Sequence, residues 1–510
     1  MIQRIIICCL FCLVSSELFY SCTEAKTTPR EENEPKYLPT WESLSRHEQA
    51  PDWFKDSKFG IYFHWGVYSV PAFETEWYPY HLYRDERPEF AKYHEENYGS
   101  LKEFGYHDFI PMFKAEKFDP EDWAELFEKS GAKFAGPVAQ HHDGFAMWDS
   151  EVNPWNVADM GPKRDITGEL LASLKKRDLK TITTFHHARL RQRHEGNQEK
   201  WDTYNSHYAY HPDYPTSTKD KDLSKFYGNM PQEDFDQYWL DQVNEVVEKY
   251  SPDMIWYDVW LNHVEDEKIR EMSSNYLNHA QQTGQEVVLV AKHDDLPKSV
   301  SVLDIEQGGK KDVSETVWMT DVTLSDKGSW CYTNGQVYKT PEMVIRNMID
   351  VWSKNGVVLL NISPKADGTI NKAQRETLLT IGKWLDVYGE AVYETVPFHI
   401  HGFGSALAKD GAHGGQSAKV EYSEKDIRFT SSKDKKSLYV FVLGKPESGK
   451  EIKLKKLNDI GYGPNSPVKR IIELKSGKEV EWTKEERYYT ITAPNGSLDQ
   501  YANVFKMELE

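Results

Sequence analysis

Between residues 51 and 394, short apolar runs alternate with segments of helical periodicity. Phe59–Trp65, Lys133–Gln140, Lys180–Phe185, Pro252–Asp258, Val287–Ala291, Val300–Ile305 and Val357–Ile362 read as buried strands: each is apolar on both faces and bounded by polar or turn-forming residues. The run Pro252-Asp253-Met254-Ile255-Trp256-Tyr257-Asp258 stands out because it finishes on a carboxylate. Between the runs, Asp119 as N-cap, Pro120 as first helical residue and Gly131 as stop frame one helix. Gly168–Arg177 forms a second, and Phe235, Trp239, Val243, Val246, Val247 and Tyr250 mark one face of a third. The box Asn371-x-x-Gln374 opens a fourth. Two stretches break the rhythm, an aromatic and charged segment from about 72 to 112 and a polar excursion over 190–232. The first, read as irregular chain, is too long for a simple connection and is expected to be functional or lid-like. Seven or eight strand–helix alternations with long inserts at strand C-termini predict an α/β fold, a (β/α)8-like (TIM-type) barrel over 51–394. An open doubly wound sheet is the alternative, but no Gly-rich phosphate loop opens a helix.

From 395 the pattern changes to short strands separated by turns: Leu438–Leu443, Glu451–Leu457, Val468–Leu474, Tyr489–Thr492 and Val504–Leu509. They predict a C-terminal antiparallel β-sandwich over 395–510, expected to pack against the barrel, with carbohydrate binding as the other reading. At the other end, Arg4, the apolar run Ile5 to Val14 and Ser21-Cys22 make residues 1–22 a lipoprotein-type signal peptide, with Cys22 as the lipidated residue; simple secretion is the alternative. Residues 23–50, polar and proline-dotted, read as a linker. The chain is thus expected to be exported as a periplasmic or cell-surface lipoprotein of a Gram-negative bacterium.

Composition narrows the function. The 510 residues carry 62 basic and 81 acidic side chains, formally −19, which argues against nucleic acid or an anionic lipid surface as partner. Sixteen Trp and 29 Tyr offer flat faces of the kind that pack on sugar rings. Of five cysteines, three leave with the signal. With Cys22 lipidated, Cys331 alone remains, so neither a disulfide framework nor a thiolate zinc site is expected.

Candidate chemistry gathers at strand ends: His64-Trp65-Gly66, His141-His142-Asp143-Gly144, His186-His187, Trp256-Tyr257-Asp258 and Asp304-Ile305-Glu306. Barrel geometry brings such ends to one mouth. Adjacent strand residues face opposite ways, so His141 and His142 are not expected to chelate one ion, and no HExxH-type spacing occurs. No metal is expected; the histidines read as neutral imidazoles that hydrogen-bond hydroxyls. A retaining glycosidase needs an ionised nucleophile and a protonated acid about 5 Å away. Asp258 and Glu306 could form that pair, with Glu315 and Glu76 competing for the acid.

The motifs Phe59-Gly60-Ile61-Tyr62-Phe63-His64-Trp65-Gly66-Val67-Tyr68-Ser69 with Glu76-Trp77-Tyr78, His141 to Ser150, Gly161-Pro162-Lys163-Arg164-Asp165, Trp256-Tyr257-Asp258, Gly328-Ser329-Trp330-Cys331-Tyr332 and Ser353 to Pro364 resemble, in order and spacing, those of the retaining α-L-fucosidases of glycoside hydrolase family 29. The resemblance implies an exo-acting enzyme that removes terminal α-L-fucose from fucosylated oligosaccharides or glycoconjugates without a cofactor. It makes Asp258 the nucleophile. His64, Glu76, Trp77, His141, His142, Trp256 and Trp330 become sugar-pocket residues. Asp304-Ile305-Glu306-Gln307-Gly308 resembles one branch of the family, which favours Glu306 as acid/base over Glu315. Gln307 replaces a basic residue, and His186 stands where many members have tyrosine; His186 is expected to take over its hydroxyl contact. The alternative function is a non-catalytic fucose- or glycan-binding lipoprotein on the same fold.

Overall fold

Eight parallel strands close into a barrel in chain order: β1 (Phe59–Phe63), β2 (Phe134–Gln140), β3 (Lys180–Phe185), β4 (Met254–Tyr257), β5 (Val288–Lys292), β6 (Val302–Asp304), β7 (Trp318–Thr323) and β8 (Gly356–Ile362), with β8 pairing back on β1. The structure, a computed structural model, describes residues 35–193, 205–415, 419–455, 457, 468–485, 488–496 and 498–509. Side-chain alternation sorts each strand. Tyr62, Phe134, Val138, Ile182, Met254, Trp256, Val288, Val290, Met319, Val357 and Leu359 belong to one cluster that fills the barrel. Ile61, Phe63, Ala135, Ile255, Tyr257, Leu289, Val358 and Leu360 belong to the larger cluster formed with the helices. Burial on both sides explains why the strands read as continuous apolar runs.

The predicted helices are present with the expected signals. Asp119 Oδ1 accepts from the Glu121 and Asp122 amides at 3.0 and 3.3 Å, and the helix Pro120–Lys129 ends before Gly131, whose φ of 85° is left-handed. Asn371 caps Lys372–Tyr388 through the Gln374 amide, but the Gln374 side chain turns away from the cap to bond both backbone groups of Ser363, so only half the capping box forms. Three expectations are corrected. β7 is an eighth strand that the apolar pattern did not mark. The segment 72–112 is ordered helix, Tyr78–Leu82, Pro88–Tyr98 and a 3-10 stretch Tyr106–Met112, rather than irregular chain. Finally, the stretch called a linker to residue 50 is docked from at least Tyr37: its amide and carbonyl bond Asn278 and Ser274, a short helix Trp41–Leu44 follows, and Leu44 is fully buried. Signal residues 1–22 and the linker to 34 lie outside the described residues.

Beyond the helix Lys372–Tyr388, two antiparallel sheets follow. One has six strands in the order β14-β13-β17-β11-β10-β9, where β9 is Thr395–Phe403, β10 Ile427–Ser432, β11 Ser437–Val442, β13 Val468–Glu473, β14 Lys478–Glu479 and β17 Asn503–Leu509. The other has three, with β12 (Glu451–Lys455) and β15 (Trp482–Lys484) flanking β16 (Tyr488–Thr492). Leu438, Val440 and Val442 of β11 join Leu454, Tyr489 and Ile491 in the core between the sheets. The alternate residues Tyr439 and Phe441 join the cluster that holds the barrel helices. One sheet therefore serves two cores, the sandwich's and the barrel's.

Candidate active site

Most barrel strands deliver a functional side chain at or just past the C-terminal end, where the backbone leaves the sheet and the side chain can face the mouth. One pocket is lined by His64 after β1, His141 and His142 after β2, His186 after β3, Asp258 to Trp260 after β4, Lys292 at the end of β5, Glu306 after β6 and Asp321 in β7. Glu76 and Trp77, from the insert after β1, and Trp330, after β7, complete the wall. The exits of β4, β5 and β6 all bend through non-glycine residues with left-handed φ, 73° at Trp260, 53° at His293 and 43° at Gln307. Backbone strain of this kind costs on the order of 1 kcal/mol per residue and collects where geometry is functionally constrained.

Lys292 is the electrostatic centre. Its Nζ lies 3.0 Å from Asp258 Oδ1, 3.0 Å from Glu306 Oε2 and 3.2 Å from Asp321 Oδ2, and above the ring of Trp256. Burial pushes the Asp258 carboxyl up, but the Lys292 ammonium, a hydrogen bond from His142 and the nearby His186 outweigh it and hold the group well below the usual carboxylate range. Burial pushes Lys292 down, and the surrounding carboxylates more than restore its charge. Asp321 also accepts from Tyr62 Oη at 3.0 Å. Deeper, burial and the neighbouring Asp321 push the Asp304 carboxyl well above the usual carboxylate range. Because Asp258 and Glu306 each hold an oxygen 3.0 Å from the same ammonium, those oxygens are no more than about 6 Å apart. That is the spacing of direct nucleophilic attack rather than of a water held between two acids.

The histidines are neutral. Burial lowers His64 to about 4, despite the hydrogen bond to Asn361, and drives His141 and His186 well below their ordinary value. Asn361 Oδ1 accepts from both the His64 amide (3.0 Å) and His64 Nδ1 (2.8 Å), which leaves Nε2 as a bare acceptor. His142 Nε2 lies 3.3 Å from Asp258 Oδ2. Burial lowers the His142 pKa, so the contact is a hydrogen bond from a neutral ring, not an ion pair. β2 ends at Gln140, so the strand alternation expected to separate His141 from His142 no longer applies, and their ring centroids are 4.7 Å apart. One ring nitrogen each of His64, His141 and His186 lies within 4.8 Å of the others, close enough to hold a metal ion or to meet several sugar hydroxyls. Glu76 accepts from the Trp330 and Cys331 amides at 3.0 and 3.4 Å, and burial raises its pKa.

Of the catalytic and sugar-binding candidates named from the sequence, all but Trp256 and Glu315 line this pocket. Trp256 is fully buried one layer down, because Met254, Trp256 and Asp258 share the inward face of β4 and only the last reaches the mouth; it forms the floor beneath Lys292 rather than a wall. Glu315 is exposed and does not line the pocket, whereas Glu306 does. Sequence reasoning missed Lys292, Asp321, Asn361 and Trp260. A charged residue directly after Val287–Ala291 was the one available signal for Lys292. Trp260 packs with Trp77 around Arg189, whose Cζ lies 4.2 and 4.5 Å from the two rings.

A family model described as Alpha-L-fucosidase matches residues 24–390. The tissue alpha-L-fucosidase of Mus musculus is 31% identical over 388 residues, covering 72% of this chain and 76% of its own. The human plasma alpha-L-fucosidase is 29% identical over 437 residues, covering 81% and 80%. The crystal structure of Thermotoga maritima alpha-fucosidase in complex with fucose has a TM-score of 0.71 at 28% identity and covers 92% of this chain and 100% of that one.

Proposed function

Because the chain belongs to the alpha-L-fucosidase family, we propose that its pocket hydrolyses terminal α-L-fucosides with retention, Asp258 acting as nucleophile and Glu306 as acid/base. The observation that carries the reading is the shared contact of both carboxylates with Lys292, which limits their separation to the retaining range. Asp258, ionised and aligned by His142 and Lys292, attacks the anomeric carbon while Glu306 donates a proton to the leaving oxygen. A covalent fucosyl ester forms on Asp258. Glu306, now a carboxylate, takes a proton from water, which attacks the same carbon and releases fucose. The side chain of Glu306 is 27% exposed against 11% for Asp258, so Glu306 is the carboxyl with the better access to water.

Binding follows from the same wall. Neutral His64, His141 and His186 offer hydroxyl partners without a charge to repel or trap the sugar. A sugar with wrongly placed hydroxyls leaves these buried groups unpaired, at about 1–3 kcal/mol each. Trp330 and Trp77 offer apolar faces to the ring and its methyl, worth about 1 kcal/mol for one methyl. No step in this scheme requires a cofactor.

The test is direct. Asp258→Gly is expected to abolish turnover of an aryl α-L-fucoside, by at least about 10³-fold, in a protein that melts as the unaltered one does. Glu306→Ala is expected to be rescued by azide with formation of α-fucosyl azide, since azide replaces water in the second displacement. Retained turnover in the first variant, or a β-configured azide in the second, would overturn the roles. A non-catalytic glycan-binding role is not favoured, since both acids are present and face one pocket. Hydrolysis of a panel of fucosylated oligosaccharides would identify the linkage. Export with lipid on Cys22 is supported by the signal pattern of residues 1–22; Cys22→Ala should move the protein from the membrane to the soluble fraction.

A further inference from the structure

The segment that carries Glu306 is held by the C-terminal domain. Between β9 and β10 the chain runs alongside it, and His413 donates its amide to the Glu306 carbonyl at 2.8 Å. Gly415 donates to the Gln307 carbonyl at 3.2 Å. Gly309 and Gly411 exchange two backbone bonds, at 3.3 and 2.9 Å, as an isolated antiparallel bridge. Lys311 then donates to Asp410 Oδ1 at 2.6 Å. The approach is so close that a Cβ on Gly308 would fall 2.1 Å from the Gly411 oxygen, and one on Gly415 would fall 2.8 Å from that of Gly308. On its other side the segment is bound to β7, through the Gln307 amide to Asp321 (2.8 Å) and Thr320 Oγ1 to Ile305 (2.7 Å). The root of the loop is fixed as well: Ala406 donates to Asp426 at 2.9 Å, and its carbonyl accepts from Arg428 at 3.0 Å.

We propose that the loop Asp410–Gly415 is a positioning element for the proton donor, so that the C-terminal domain takes part in catalysis by fixing the backbone from which Glu306 projects. The proposal rests on the reading of Glu306 as acid/base. Glutamate reaches the leaving oxygen through three rotatable bonds, and a misplacement of about 1 Å is enough to cost roughly 10²-fold in rate. With β7 on one flank and the loop on the other, the Glu306 peptide is bonded from both sides, while its carboxylate reaches into the pocket to meet Lys292.

Such a role has a signature that general destabilisation lacks. A phenyl α-L-fucoside needs its leaving oxygen protonated; a 2,4-dinitrophenyl α-L-fucoside does not. Gly415→Ala and the bulkier Gly415→Val, both of which force the two backbones apart, are expected to lower kcat/KM for the phenyl fucoside by about 10- to 100-fold. The dinitrophenyl fucoside should stay within about 3-fold. Equal losses on both substrates, or no loss on either, would overturn the proposal. Glu306→Ala is run in parallel. If it shows the leaving-group dependence and the loop variants do not, the clamp alone fails; if it shows none, the assignment of Glu306 fails and the clamp with it. Hydrogen exchange of the unaltered protein gives a check free of substitution: the amides of Gly411 and His413 should be protected, and exchange within seconds would refute the clamp.

Discussion

Lys292 meets Asp258, Glu306 and Asp321 at 3.0, 3.0 and 3.2 Å, so one buried cation serves three acids. Two of these are the proposed reacting groups, which makes the lysine a device for keeping Asp258 ionised. Burial pulls the Asp258 pKa upward, and Lys292 is the first of the groups that reverse the effect. Removing the ammonium leaves burial less opposed, so the pKa of Asp258 rises and more of it is protonated at a given pH. Lys292→Met is therefore expected to move the acid limb of kcat/KM against pH upward by about one unit or more. It should also lower the plateau by about 10²-fold through lost charge alignment. A pH profile on an aryl fucoside measures both, and an unmoved acid limb would take Lys292 out of this role. In the sequence, Lys292 is merely a polar residue after an apolar run, which is how most strands end. The histidines were legible because three occur at successive strand ends, and Asp258 because a carboxylate closed its strand.

At the scale of the element, the barrel's closure does chemical work. β8 pairs with β1, and Asn361, opposite Tyr62 in register, bonds the amide and ring of His64. Its Nδ2 holds the Trp330 carbonyl at 2.7 Å, so one side chain sets both the β1 histidine and the exit of β7. Asn361→Ala should leave the fold intact and weaken ground-state binding, raising KM for an aryl fucoside by about 10-fold with a smaller change in kcat. A loss confined to kcat would contradict it. The strands whose interiors are apolar were readable from pattern. β7 was not, since Thr320, Asp321 and Thr323 interrupt its apolar residues; those polar groups are buried with partners from elsewhere in the barrel, Thr320 donating to the Ile305 carbonyl, Asp321 accepting from Lys292 and Tyr62, and Thr323 accepting from Asn361. The helices of 72–112 were hidden for a related reason. Their buried side chains, such as Tyr78, Phe90, His94 and Phe109, pack mainly on one another as an aromatic cluster, so no amphipathic stripe records a distant core.

At the scale of the molecule, the barrel and the sandwich are joined by a buried ionic group that neither half would need alone. Asp350, on the barrel helix Pro341–Ser353, accepts from Arg428 Nε of β10 at 2.6 Å and from Lys354 Nζ at 2.7 Å, and all three side chains are almost fully buried. Composition could suggest two domains, but nothing in a sequence says that an aspartate in one helix faces an arginine some eighty residues on. Burial pushes the Asp350 carboxyl up, yet Arg428 and Lys354 outweigh it and hold the group below its ordinary value. A carboxyl depressed in this way stabilises the folded protein above its unfolded pKa of about 3.9, and that stabilisation is lost as pH falls through the folded value. Asp350→Asn leaves two buried cations facing each other without an anion, which should cost about 3–5 kcal/mol at pH 7. Urea unfolding across pH would show the deficit largest near neutrality and shrinking below about pH 4, where the unaltered protein also loses its anion. A deficit that does not change with pH would mean the loss lies in packing rather than charge. Arg428 also donates to Ala406 at the root of the loop that reaches Glu306. The same variant should therefore lose more activity on a phenyl than on a dinitrophenyl fucoside, linking the docking of the two halves to the proton donor.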